Sequence, residues 1–134
     1  MHTIVIDGYN LIPALPKLGR LARRDLRKSR DSLLGLLCDY RVRHTPPPFI
    51  LVVFDGKARQ EAKTESPAPG VEVRFSSGET ADDLILGVLR NENRGATLVT
   101  SDRALIEAAS VFANRVIRSG EFVRTLLKTT KPSR

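Results

Sequence analysis

The chain carries eight aspartates, and where they fall relative to its apolar runs is the first chemical signal. Asp7 follows Thr3-Ile4-Val5-Ile6, Asp55 follows the run from Phe49 to Phe54, and Asp102 sits just past Ala96 to Val99. Asp82-Asp83 open a helical pattern that follows Val71 to Phe75. Carboxylates brought together raise one another's proton affinity, and such a cluster is costly unless a cation occupies it. Hard oxygen donors without His or Cys favour Mg²⁺ or Mn²⁺ over Zn²⁺. One or two such ions can bind a phosphodiester oxygen, lower the pKa of a coordinated water and stabilise the leaving oxygen. Phosphodiester hydrolysis is therefore a chemistry the cluster supports. With His2 and His44 far apart and outside any ligand motif, a metal-assisted route leaving a 5′-phosphate and a 3′-hydroxyl is expected rather than His acid/base cleavage.

The elements that must hold these acids are legible as a rhythm of short apolar runs and helical patterns. Thr3 to Ile6, Phe49 to Phe54, Ala96 to Val99 and Val116-Ile117 are compact and rich in β-branched residues, as strands buried on both faces should be. Val71-Glu72-Val73-Arg74-Phe75 alternates apolar and charged residues, which predicts a half-solvated strand at a sheet edge. The spacing predicts helices from about Leu21 to Arg43, from Ala81 to about Asn93, from about Arg103 to Ala113, and from about Glu121 onward. The last presents Phe122, Val123, Leu126 and Leu127 on one face, after the turn-forming pair Ser119-Gly120. Pro46-Pro47-Pro48 closes the first helix, and the polar stretch from Gly56 to Gly70 reads as a mobile surface loop.

Alternating strands and helices imply parallel pairing through right-handed crossovers. The expected architecture is a three-layer α/β/α sandwich around a mainly parallel sheet of about five strands, in a single domain spanning the chain. In an open α/β sheet the ligand crevice lies beyond the carboxyl ends of the strands. Five of the eight aspartates, Asp7, Asp55, Asp82, Asp83 and Asp102, fall at that end. Asp25, Asp31 and Asp39 lie on the basic helix as solvated counter-charges.

The 134 residues hold 22 Lys and Arg against 15 Asp and Glu, a net charge of +7 with a pI near 10.2. At 41% hydrophobic and 28% charged, the composition excludes wholesale disorder and collagen-like repeats. The basic excess is mostly arginine, which suits phosphate, so nucleic acid enters as a partner. The stretch from Lys17 to Arg30 holds seven positive side chains and one acid. It follows the first acidic block, so Arg20, Arg23, Arg24 and Arg27 are candidates for contact with a nucleic-acid backbone, with Lys57 and Arg59 after Asp55 as further candidates. A solvated helix face is the competing reading of such a run. The lone Cys38 excludes a disulfide framework and reads as a small buried side chain. No signal-like or membrane-spanning apolar run is present, so a cytoplasmic location without membrane association is expected. No motif fixes the oligomeric state, and a dimer is compatible with it.

Each acid also has a plainer reading. Asp7-Gly8 and Asp55-Gly56 can be turn residues. Asp83 fits a capping arrangement with Thr80 as N-cap, and Asp102 or Ser101 can cap the following helix. Asp82 differs, because it shares a helical face with Ile85, Leu86 and Leu89 and is thereby directed at the crevice. Asn10 can stabilise a turn, or hold Asp7 or a phosphate with its amide. Tyr9 suits packing better than base stacking.

The blocks Asp7-Gly8-Tyr9-Asn10-Leu11-Ile12, Val52-Val53-Phe54-Asp55-Gly56, Glu79-Thr80-Ala81-Asp82-Asp83 and Val99-Thr100-Ser101-Asp102-Arg103 occur in the order and spacing of NYN-domain proteins. Over nearly its whole length the chain resembles the YacP-like branch of that family, similar in fold to PIN-domain nucleases. The resemblance implies a Mg²⁺- or Mn²⁺-dependent endoribonuclease in which Asp7, Asp82 and Asp102 match the central acids. Asn10 and Asp55 support them, Asp83 joins the metal set, and Glu79, Thr80, Thr100 and Ser101 flank the site. Some relatives resemble ribosome-associated enzymes that cut mRNA. The chain ends soon after Leu127, short of the longer segment expected in that branch, so mRNA is a candidate substrate and a ribosomal partner is not assigned. Two other classes remain open. A non-catalytic RNA-binding domain of this fold would bind RNA and leave it intact with Mg²⁺ present. A phosphoacceptor receiver would want an acidic pair after the first strand and a Lys after the fifth, where this chain has Asp7 alone and Arg118-Ser119-Gly120.

Overall fold

The computed structural model describes residues 2–56 and 63–129. Six strands, β1 (Thr3–Asp7), β2 (Phe49–Phe54), β3 (Lys63–Ala68), β4 (Val71–Phe75), β5 (Thr97–Val99) and β6 (Arg115–Ile117), form one sheet in the order β3-β4-β2-β1-β5-β6. Every neighbouring pair is parallel except β3 with β4. The helices are α1 (Gly8–Leu11), α2 (Pro16–Arg24), α3 (Leu26–Val42), α4 (Ala81–Asn91), α5 (Arg103–Ala109) and α6 (Ser119–Thr129), with a 3-10 turn over Ile12–Ala14.

Strand side chains alternate between two apolar clusters, and this builds the three layers. Ile4, Ile6, Ile50, Val52 and Phe54 pack with Leu33 and Leu37 of α3 and Phe122 and Leu126 of α6. Val5, Leu51, Val53 and Leu98 pack on the other face with Ile85, Val88 and Leu89 of α4 and Leu105 of α5. From β1 the chain leaves to one face, and from β5 to the other. Their carboxyl ends therefore diverge and open a crevice at the topological switch point. Among the described residues, no helix is long and apolar enough to cross a membrane.

Several expectations need correction. The sheet has six strands, and β4 is internal, because β3 arises within the stretch read as a loop and covers its outer edge. The alternation in β4 has another cause: Val71, Val73 and Phe75 are buried, while Arg74 pairs with Glu72 at 2.6 Å and with Glu92 beyond the end of α4 at 2.9 Å. The remainder of that stretch, residues 57–62, lies outside the described residues. The long basic helix is two, broken at Asp25, whose extended backbone (φ −153°, ψ 93°) ends α2 and caps α3 by accepting from the Lys28 N–H at 3.0 Å. The helix opening at Arg103 is also shorter than its pattern suggests and ends at Ala109.

Gly8 opens α1 where the backbone passes directly against the Phe54 ring, leaving no room for a Cβ. Gly8→Ala is expected to cost about 1–3 kcal/mol by forcing the ring or the turn to shift. The check is a urea melt, which should show a lower midpoint at an unchanged m-value.

Candidate active site

A cavity of about 560 Å³ opens at the carboxyl ends of β1, β2 and β5 and is lined by Asp7, Asn10, Asp55, Thr80, Asp82 and Asp102, with Tyr9, Arg30 and Phe75 on one wall. Asp7 ends the central strand and is only 8% exposed. Its Oδ2 accepts the Thr100 hydroxyl at 2.9 Å. Burial pushes the Asp7 carboxyl up to about 6, the negative charges of Asp82 and Asp102 push the same way, and the Thr100 bond opposes them. Fully buried Thr100 does double duty, its Oγ1 also accepting the Asp102 N–H at 3.1 Å. Asp102 caps α5 through Oδ1, which accepts the Leu105 N–H at 3.1 Å, and lines the cavity at the same time. Capping and a cavity role coexist in one carboxylate.

Asp82 is raised chiefly by burial, then by the charges of Asp102, Asp83 and Asp55. Its place on the face of Ile85 and Leu89 directs it inward, as its spacing predicts. Asp55 is steadied by Ser76, whose hydroxyl lies 3.5 Å from Oδ1 and accepts the Gly56 N–H at 3.1 Å. Asn10 acts as a clasp. Its Oδ1 accepts both the Ser101 N–H at 2.8 Å and the Ser119 hydroxyl at 2.7 Å, and the Ser119 N–H in turn donates to the Ser101 Oγ at 2.9 Å. One carboxamide thus ties α1 to the turn after β5 and to the start of α6.

Other residues singled out by sequence are placed differently. Asp83 is exposed, with its backbone N–H bound by the Thr80 Oγ1 at 3.0 Å; it reaches the cavity only through its charge on Asp82. Glu79 is exposed and does not line the cavity. Arg20 and Arg23 line a separate depression with Ile12, Pro13 and Pro16, and Arg24 is exposed at the end of α2. The break at Asp25 is the reason, since it turns the first half of the basic run away from the crevice and brings Leu26 and Arg30 to it. Arg27 lines an adjoining groove with Arg30, Phe54 and Phe75. Lys57 and Arg59 lie outside the described residues.

Sequence reasoning missed Arg30, Ser76 and Ser119. The spacing of Leu26 and Arg30, four apart on a helix, was a usable signal for the first; the two serines have no local signal, because their partners are remote in sequence. Tyr9 packs its ring against Phe54 at 4.8 Å between centroids, in line with a packing role.

The donor chemistry fits a hard divalent cation, being all oxygen, and burial, with like charge beside it, holds the Asp7 and Asp82 carboxyl groups above their ordinary range. Among the described residues no three His, Cys, Asp or Glu already converge on one point as ligands. Mg²⁺ does not require that, because it commonly keeps several waters and takes one or two carboxylates.

The sequence profile of the YacP-like NYN domain matches residues 4–134. This chain belongs to the YacP-like NYN domain family. A curated relative, the uncharacterized protein YacP of Bacillus subtilis (strain 168), is 30% identical over 132 residues, covering 96% of this chain and 74% of that protein. The crystal structure of Rae1 (YacP) from Bacillus subtilis superposes with a TM-score of 0.75 at 26% identity, covering 96% of this chain and 75% of that one. Its W164L mutant gives 0.76, with 77% of that chain covered. The fold is accordingly the PIN-like one of the YacP-like NYN proteins, within the PIN-like nuclease superfamily.

Proposed function

We propose that this YacP-like NYN domain is a Mg²⁺- or Mn²⁺-dependent endoribonuclease, acting in the cytoplasm on single-stranded RNA such as mRNA. The observation that carries this reading is the gathering of Asp7, Asp55, Asp82 and Asp102 in one cavity of a chain whose net charge is +7. Asp7, Asp82 and Asp102 would hold the cation, with Asp83 adding negative charge from the rim. Once bound, a divalent ion supplies an activated water and neutralises charge developing on the phosphate. The remaining work belongs to the chain. Thr100 fixes one Asp7 oxygen, the Asn10 clasp sets the Asp102 turn, and Asp55 orients the attacking water. Arg27 and the more distant Arg20, Arg23 and Arg24 contribute the positive potential that draws a polyanion in.

The test incubates the purified chain with single-stranded RNA and Mn²⁺, with and without EDTA. Cleavage is expected with Mn²⁺, giving products with a 5′-phosphate and a 3′-hydroxyl, and is expected to stop when EDTA is in excess. Cleavage that survives EDTA would sink the metal mechanism. RNA that is bound but left intact across diverse sequences would point instead to a non-catalytic RNA-binding domain.

A further inference from the structure

Arg30 is the one cation among the described residues that lines the acidic cavity, and it pairs with none of the acids there. Its guanidinium lies over the Phe75 ring at 5.3 Å and the Phe54 ring at 5.9 Å, and Nη1 donates to the Tyr9 hydroxyl at 3.0 Å. An arginine kept for neutralising the cluster would sit in an ion pair with it. This one is fixed by aromatic faces and a phenol instead, which settles its position while most of its five donors find no acceptor among the described residues. Arg30 and Phe75 also line the adjoining groove of about 300 Å³, with Arg27 and Asp31 from α3, Glu65 from β3 and Val73 from β4, so that two arginines and two acids share it. Arg30 therefore stands at the junction of the acidic cavity and a groove with a second arginine. The missing partner of a pre-ordered guanidinium at such a place is an anion that accepts in a planar fork, and a phosphodiester does so.

We propose that Arg30 grips one backbone phosphate of an RNA strand that runs along the groove between α3 and β4, so that a neighbouring linkage lies over the aspartates. This rests on the endoribonuclease reading for the chemistry but not for the grip. Tyr9 is a positioning residue in this arrangement, since its hydroxyl steadies Arg30. The strand then passes Arg27 and not the depression of Arg20 and Arg23, which fixes the side of the molecule on which RNA leaves the cavity.

The experiment measures binding and cleavage of a short fluorescein-labelled single-stranded RNA by the full chain and by Arg30→Met, Arg30→Lys and the exposed control Arg124→Met. Arg30→Met is expected to weaken binding about tenfold to a hundredfold, the range for losing charge-assisted hydrogen bonds. The slope of log affinity against log salt should fall by about 0.7, the value for one phosphate contact on a single strand. Arg30→Lys should restore that slope but only part of the affinity, because it keeps the charge and loses the fork. Arg124→Met should match the parent protein. Single methylphosphonate linkages walked along the RNA should weaken binding to the parent at one position and leave Arg30→Met indifferent at that position. An unchanged affinity and salt slope in a folded Arg30→Met, or a methylphosphonate pattern identical in variant and parent, would overturn the grip even if RNA is still cut. Absence of any RNA binding by the parent would overturn it too. Binding with the Arg30-dependent position intact but no cleavage would support the grip and sink the nuclease reading alone.

Discussion

Asp82→Asn is expected to lower the rate of RNA cleavage by about three orders of magnitude, equivalent to roughly 4 kcal/mol of lost transition-state stabilisation. The substitution keeps the shape and removes one formal charge from the part of the cavity where Asp102, Asp83 and Asp55 already act on it. It should leave the fold intact. Asp82 is half-buried and no hydrogen bond holds it among the described residues, while α4 is anchored by Ile85, Val88 and Leu89 and capped by Thr80. Relief of like-charge repulsion makes the variant at least as stable as the parent. Single-turnover kinetics with Mn²⁺ beside a thermal melt separate the two effects. A variant that keeps activity to within tenfold would remove Asp82 from the metal set and with it the mechanism proposed for this cavity.

Asp7→Asn is expected to raise stability at neutral pH while abolishing cleavage. Burial and neighbouring charge lift the Asp7 carboxyl from an ordinary 3.8 to about 6, so ionised Asp7 opposes folding by about 3 kcal/mol at pH 7. Between those two pH values the folded chain binds more protons than the unfolded one, so the parent loses stability as pH rises through the window. Below 3.8 both states are protonated and the penalty vanishes; above 6 it is complete. The variant should therefore melt several degrees higher than the parent at pH 7, with the gap closing as pH falls toward 4. The Thr100 hydroxyl can still donate to the asparagine carbonyl, so the contact at 2.9 Å survives the change. Millimolar Mg²⁺ should raise the parent's melting temperature at pH 7 and leave the variant's nearly unmoved. A variant that is less stable than the parent at pH 7 would mean that Asp7 is held by its bonds more than it is strained by its burial.

The layered architecture and the acid-bearing end of the sheet were legible because they follow from patterns local in sequence. Buried runs such as Phe49–Phe54 announce strands, and each of Asp7, Asp55 and Asp102 follows its run within a few residues. What escaped depends on remote partners or on polar segments without periodicity. The strand Lys63–Ala68 contains Glu65, Ser66 and Pro67 and is held by pairing to β4, with an irregular register between Glu65 and Ala68. Pro67 is tolerable because that strand is at the edge and its register is irregular at that point. The break at Asp25 hides among arginines, with neither Gly nor Pro to mark it, although Asp is a good N-cap. Missing that break hid the turn that sets Arg20 and Arg23 in a separate depression and brings Arg30 to the cavity, with Arg27, already a candidate, beside it in the adjoining groove.

The clasp at Asn10 also bears on when the acidic centre comes into being. Its two acceptor bonds join positions 91 and 109 residues apart, among the longest-range contacts a chain of this length can make. Contacts of that separation carry a large loop-closure entropy and form after local ones have reduced it. The first strand can pair with the second while the last helix is still unmade, and Asn10 can already hold the Ser101 N–H, but the two Ser119 bonds that complete the clasp wait for α6. A chain caught halfway, whether during synthesis or during local opening of α6, carries the charges of the site with its clasp incomplete. Completion of the last helix thus bears on alignment at the first strand, although the two stand at opposite ends of the chain.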